Sequence, residues 1–231
     1  MTTKKNNGLP ILIVVTVVFL LLEQLPFGSL ILWPLSVLTT FVHEMGHGLS
    51  ALFSGGRLNS IEIYSSGGGL ARTVTYTDWQ LALVAACGLI APTLTGGIFI
   101  TAGINPIIAS RALLIFSIFI LICCAVWVRT FYGLLIMLPL GAGFLIVSIK
   151  GSATVKHFLL QFLGVHMSVS TFNRTIPYLF STTAKVGGGE YHSDTALIAA
   201  SVGGGYILWA AIIGLFCIVI FILSIKRTYL H

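Results

Sequence analysis

Apolar residues run along this chain in long, nearly unbroken blocks rather than in the alternating or 3.6-residue patterns of a water-soluble fold. The blocks span about 9–23, 33–53, 80–101, 106–128, 131–149 and 200–225, with a weaker one at about 153–171. Several approach or exceed the roughly 20 residues that carry a helix across a bilayer core. In lipid the backbone must satisfy its own hydrogen bonds, so each block predicts a helix. The weaker block contains Lys156, His157, Gln161 and His166, which suits either a helix screened by its neighbours or an amphipathic segment in the interface. The fold class is an all-α polytopic membrane protein of about six spans, or seven if the weaker block crosses.

Two stretches break the pattern. Arg57 to Tyr64 and Leu70 to Tyr76 are rich in β-branched and aromatic residues and flank Ser65-Ser66-Gly67-Gly68-Gly69. They predict a small β-hairpin between the second and third spans. Residues 172–195 carry Asn173, Arg174, Pro177 and Gly187-Gly188-Gly189. That stretch is too long and polar for a tight turn and predicts a mobile loop that covers a site.

Composition supports the lipid reading. Of 231 residues, 57% are hydrophobic and 8% charged, too little polar surface to cover a soluble core of this size. Residues 1–231 form one transmembrane domain with no separate soluble unit. The net charge of +6 lies near span ends, which points to anionic lipid headgroups and away from nucleic acid. Lys4 and Lys5 followed by an apolar run resemble a signal peptide, but no small-x-small cleavage site follows, so the run is read as an uncleaved first span. An even count of six spans puts Lys4, Lys5, Lys226 and Arg227 on one side of the membrane. Cys87, Cys123, Cys124 and Cys217 fall in apolar stretches without metal-ligand spacing and read as small core residues.

The chemistry stands in the second span, as His43-Glu44-Met45-Gly46-His47. Residues four apart share a helix face, so both imidazoles can meet one metal ion while Glu44 sits beside the water at that ion. Zinc suits this donor set: it polarises a carbonyl and lowers the pKa of water toward about 7, and Glu44 is the general base. With six histidines in the chain, chance yields roughly 0.003 such motifs. Three ionisable groups within five residues at membrane depth also need compensation, which a divalent cation supplies. The competing readings are a polar helix-packing cluster and a proton path.

A third ligand is required, and Asp194 is the first choice. It begins the last strongly apolar stretch, where a helix start can carry its carboxylate to membrane depth. One zinc ion with Glu44 and Asp194 ionised is formally neutral. Glu190 and His192 are the competing ligands, and capping the last helix is the plain alternative role for Asp194. Glu62 is expected to be exposed on the hairpin, Arg111 and Arg129 to anchor at the interface, and His157 and His166 to be interfacial or packing residues.

From His43 to about Tyr76, the run His-Glu-Met-Gly-His-Gly, Ser54-Gly55-Gly56-Arg57 and the Gly67-Gly68-Gly69 hairpin resembles the site-2 protease family of intramembrane zinc metalloproteases, in its short bacterial branch. Ser193-Asp194 extends the resemblance to the late segment. It implies zinc on His43, His47 and Asp194, water activation by Glu44, and a transmembrane protein or peptide substrate cleaved in or near its membrane span. It also implies a multi-pass protein of a bacterial cytoplasmic membrane. Glu190-Tyr191-His192-Ser193-Asp194 is also similar to the late motif of the heat-shock and CAAX-processing metalloproteases, in which the glutamate is the ligand. The functional alternatives are a metal or proton transporter and an inactive scaffold.

Overall fold

A computed structural model of the protein describes residues 8–178 and 181–229. The elements run α1 (Gly8–Gln24), α2 (Gly28–Phe53), β1 (Arg57–Ile63), β2 (Gly69–Val74), α3 (Asp78–Gly103), α4 (Pro106–Val126), α5 (Phe131–Lys150), α6 (Ala153–Tyr178), β3 (Thr183–Val186), β4 (Gly189–His192), α7 (Asp194–Val202) and α8 (Tyr206–Tyr229). Polar residues between the apolar blocks set the boundaries. Asn105 accepts from the Ile107 and Ile108 amides with Pro106 in the first turn of α4, and Thr130 accepts from the Gly133 amide to start α5.

Four helices, α3, α4, α5 and α8, are long and apolar enough to cross a membrane, and the pair α1–α2, bent by 116°, makes up to five. The fold is therefore helical and membrane-embedded as the sequence predicts, with fewer strongly apolar spans than the six or seven expected. The difference lies at the two ends of the scale. The first apolar block ends in the sharp bend at residues 25–27 instead of standing alone, and the weak block becomes α6, which packs antiparallel along α3. Gly96 meets Gly164 and Ser168, and Gln161 donates to the Ile100 carbonyl at 2.9 Å. Gln161, His166 and Ser168 are buried. These three polar residues, which lower the hydropathy of α6, face protein rather than lipid.

Burial inverts the order of a soluble protein. The most hydropathic helix, α8, is the least buried of the four, and α3 is the most buried. α3 packs against α2, α4, α6, α7 and α8. Apolar surface faces outward around it, as on Ile115, Leu215 and Leu223, which is what a lipid solvent permits. With lipid as apolar as leucine, helices associate through close packing of small residues. A β-carbon on Gly96 would lie 2.6 Å from the Gly164 carbonyl oxygen, and one on Gly164 would lie 2.8 Å from the Gly96 carbonyl oxygen.

β1 and β2 form the predicted antiparallel hairpin, with an irregularity between Leu58 and Ser60. The turn needs Gly67, whose φ is +82°. The hairpin runs back along α2. Gly56 at its base lies against the Ala51 carbonyl, while its tip meets Trp33 and accepts a hydrogen bond from Thr40 at the Gly67 carbonyl, 2.7 Å. Ala51 and Trp33 are about 27 Å apart along a helix at 1.5 Å per residue, so the hairpin lines most of α2. The segment 172–195 departs from expectation. α6 extends through Tyr178, and a second antiparallel hairpin, β3–β4, stands where a mobile loop was predicted. Gly187 and Gly188, at φ +57° and +83°, make its two-residue turn. The side chains of Asn173, Arg174 and Pro177 lie outside the described residues.

Replacing Gly96 or Gly164 by leucine drives a side chain into the backbone of the facing helix. Each change is expected to cost about 1–3 kcal/mol, read as a lower thermal midpoint in detergent. An unchanged midpoint for both would mean that α3 and α6 do not meet at these glycines.

Candidate functional site

His43 and His47 lie on the buried face of α2, and α3 presents a gap opposite them. Gly88 makes the gap: a β-carbon there would stand 2.1 Å from Cε1 of His47. Gly46 performs the same service on α2, against the Cys87 carbonyl. His47 Nδ1 lies 2.8 Å from the Val84 carbonyl oxygen. A carbonyl can only accept, so Nδ1 donates, and in the neutral ring Nε2 keeps its lone pair. That nitrogen points at His43 Nε2, 3.1 Å away.

The carboxylate comes from the far side of α3. α7 begins at Asp194, capped by Ser193, whose hydroxyl accepts from the Ala196 amide. Capping is thus done by the residue before Asp194, and the Asp194 carboxylate turns toward α2. Its Oδ2 lies 3.2 Å from His43 Nε2 and its Oδ1 3.5 Å from His47 Nε2. α7 then stops at Gly203-Gly204-Gly205, so the apolar stretch expected over 200–225 is α8, a separate helix.

The donor set fits a metal ion. The two Nε2 atoms stand 3.1 Å apart, and the two Asp194 oxygens reach them separately, Oδ2 at 3.2 Å from His43 and Oδ1 at 3.5 Å from His47. A tetrahedral ion with bonds of about 2.0–2.1 Å needs donor separations of about 3.3–3.4 Å. The Nδ1 bond to Val84 is the outer contact that orients a ligating imidazole. Among the described residues, this is the one group of three or more His, Cys, Asp or Glu side chains able to hold a metal.

Glu44 lines the same cavity and is held by the first hairpin: its Oε2 accepts from the Ala71 amide at 2.8 Å. β1 is occupied on its outer side. The Ile61 amide donates to the Trp127 carbonyl at 2.8 Å, the Arg129 amide donates to the Ile61 carbonyl at 3.0 Å, and the Ile63 amide donates to Thr130 Oγ1. In an antiparallel pair, facing residues turn their backbone groups together, either inward or outward. Ile61 and Ile63 turn outward, so their partners Ala71 and Gly69 turn their N–H and C=O groups away from β1, toward the cavity. β2 is therefore an edge strand beside Glu44.

The cavity has a volume of about 740 Å³. α3 and α7 give it an apolar wall of Leu81, Val84, Ala85 and Leu197, and the second hairpin closes it with Thr183, Ala184 and Val186. Glu190 and His192, the competing ligands, also line it but are exposed on β4 and lie outside the three-residue group. Glu62, expected to be exposed, is half-buried: Arg72 donates to it from Nη2 at 3.1 Å and Tyr64 from its hydroxyl, which together hold its carboxyl below the usual range. Arg111 and Arg129 are exposed, and His166 is buried edge-on to Phe19 at 5.3 Å. The sequence reading missed the second hairpin and Gly88. Three consecutive glycines signalled the turn, but nothing in the sequence pairs Gly88 with His47.

No curated protein and no solved structure matches the chain. The family model described as Peptidase M50B-like matches residues 11–224, an interval holding α2, both hairpins and α7, in keeping with the resemblance to site-2 proteases. With its apolar helices and a match over nearly its whole length, the chain is an integral-membrane member of the Peptidase M50B-like family.

Proposed function

We infer that the protein is an intramembrane zinc endopeptidase that hydrolyses peptide bonds in or near the membrane spans of other proteins. One observation carries the reading. His43, His47 and Asp194 converge in a cavity that also holds a carboxylate outside the ligand set, Glu44, and the edge of strand β2. His43, His47 and Asp194 would hold the zinc. Zinc bound there supplies Lewis acidity toward a carbonyl and makes water a stronger acid.

The rest of the chemistry belongs to the chain. A helix in lipid hides its carbonyls in its own hydrogen bonds, so a substrate must unwind before it can react. The β2 edge receives the unwound stretch, with Gly69 and Ala71 offering backbone groups for pairing. Glu44 takes the proton of the attacking water and passes it to the leaving amine, so that one water is consumed and an acid and an amine result. The Leu81, Val84, Ala85 and Leu197 wall accommodates apolar side chains of the kind found in membrane spans. Anionic lipids at the cationic span ends and a bacterial cytoplasmic membrane complete the proposal.

Glu44→Gln is expected to keep stoichiometric zinc and to lose about 10²–10⁴-fold in cleavage of a quenched-fluorescent peptide with an apolar segment of about 20 residues. Cleavage near the wild-type rate would remove Glu44 from the chemistry, and loss of ion flux without any proteolytic phenotype would favour a transporter. Asp194→Ala should lose zinc on metal analysis; full occupancy would move the third ligand to Glu190 or His192. Gly88→Ala displaces the His47 ring without replacing any proposed ligand, and should weaken zinc binding by about 10–100-fold, measured by competition with a chelating dye. Wild-type affinity would mean that the α2–α3 gap does not position His47.

A further inference from the structure

The second hairpin does not merely border the cavity; it is fastened to the first. Tyr64, at the end of β1, lies on the Gly187 turn, where a β-carbon would stand 2.4 Å from Cζ of the tyrosine ring. Beside this contact, a β-carbon on Gly68 would lie 3.4 Å from Cγ1 of Val186. Tyr64 is not free to drift. Its hydroxyl donates to Glu62, which Arg72 holds from β2. The two hairpins thus meet tip to tip over a cavity whose opposite walls are the β2 edge and the β3–β4 hairpin.

This arrangement has a steric consequence. A peptide reaching Gly69 and Ala71 has to lie between the hairpins, yet their tips are in van der Waals contact. We propose that β3–β4 is the second jaw of a peptide-binding cleft: the Tyr64–Gly187 and Gly68–Val186 contacts part to admit one extended segment, and the hairpin closes over it opposite β2. The occupant is an unwound stretch of polypeptide. Gly69 and Ala71 offer it main-chain groups, and the small residues Gly68, Gly69, Ala71 and Ala184 leave room for its side chains. Gly187 has two functions in this cleft, making the turn at positive φ and providing the seat for Tyr64. The proposal rests on the endopeptidase reading for the identity of the occupant but not for the separation of the hairpins.

A reversible lock tests it. Gly68→Cys with Val186→Cys, in the full chain with its native cysteines replaced, joins the jaws by a disulfide on oxidation. The oxidised protein is expected to cleave the quenched-fluorescent peptide at least roughly tenfold more slowly than the same sample after reduction, with equal zinc content in both. Equal rates in the two states overturn the jaw and leave the endopeptidase reading standing, whereas a wild type that never cleaves ends that reading. Spin labels on Ser66 and Lys185 then decide the jaw without reference to activity. A short and a longer inter-label distance are expected in the unlocked protein, and a single short distance overturns the proposal.

Discussion

Three donor side chains held together inside a helical bundle constrain this architecture more than any other contact. Two imidazoles on α2 and a carboxylate at the start of α7 come together beside α3, with 146 residues between His47 and Asp194. Bringing such groups out of water costs several kcal/mol each, even by conservative scales. Mutual proximity and a fitting cation offset that cost only if the two helices are held in register. The register is set by the glycines of α3, since Gly88 admits His47 and Gly96 brings α6 close behind.

The polar residues of the bundle are distributed by the same logic. α3 is central and α8 peripheral, although α8 is the more apolar of the two. In water the greasier helix would be the inner one. Here lipid takes the role of the apolar phase, and helices able to pair polar side chains with protein occupy the middle. α6 is the clearest case. Its Gln161 reaches a main-chain carbonyl of α3, and Ser168 and Thr171 return their hydroxyls to their own helix.

Much of this was legible in the sequence because the governing rules are local. Long apolar runs specify helices; the His43–His47 spacing puts two rings on one face; the Gly67–Gly69 turn between β-branched runs specifies the first hairpin. What the sequence could not show depends on partners. The hydropathy of α6 does not reveal that its polar residues face α3, and the first apolar block does not announce the bend that joins it to α2. Residues 172–195 look like a loop because β3 and β4 have only four residues each and alternate weakly. Their order comes from contact with Tyr64 and Gly68, far away in the chain. Asp194 differs from Glu190 and His192 in opening an apolar stretch, and the short helix α7 turns its carboxylate toward His43 and His47 while the other two lie exposed on a strand.

The bond from the Ala71 amide to Glu44 links two requirements in a single hydrogen. That N–H is the donor an added strand would want at the middle of β2, and it is already given to the carboxylate. One hydrogen cannot serve two acceptors fully. Arrival of a peptide at this rung and retention of Glu44 by the strand are therefore competing events, so the backbone of the hairpin is wired directly to the side chain beside the donor cluster.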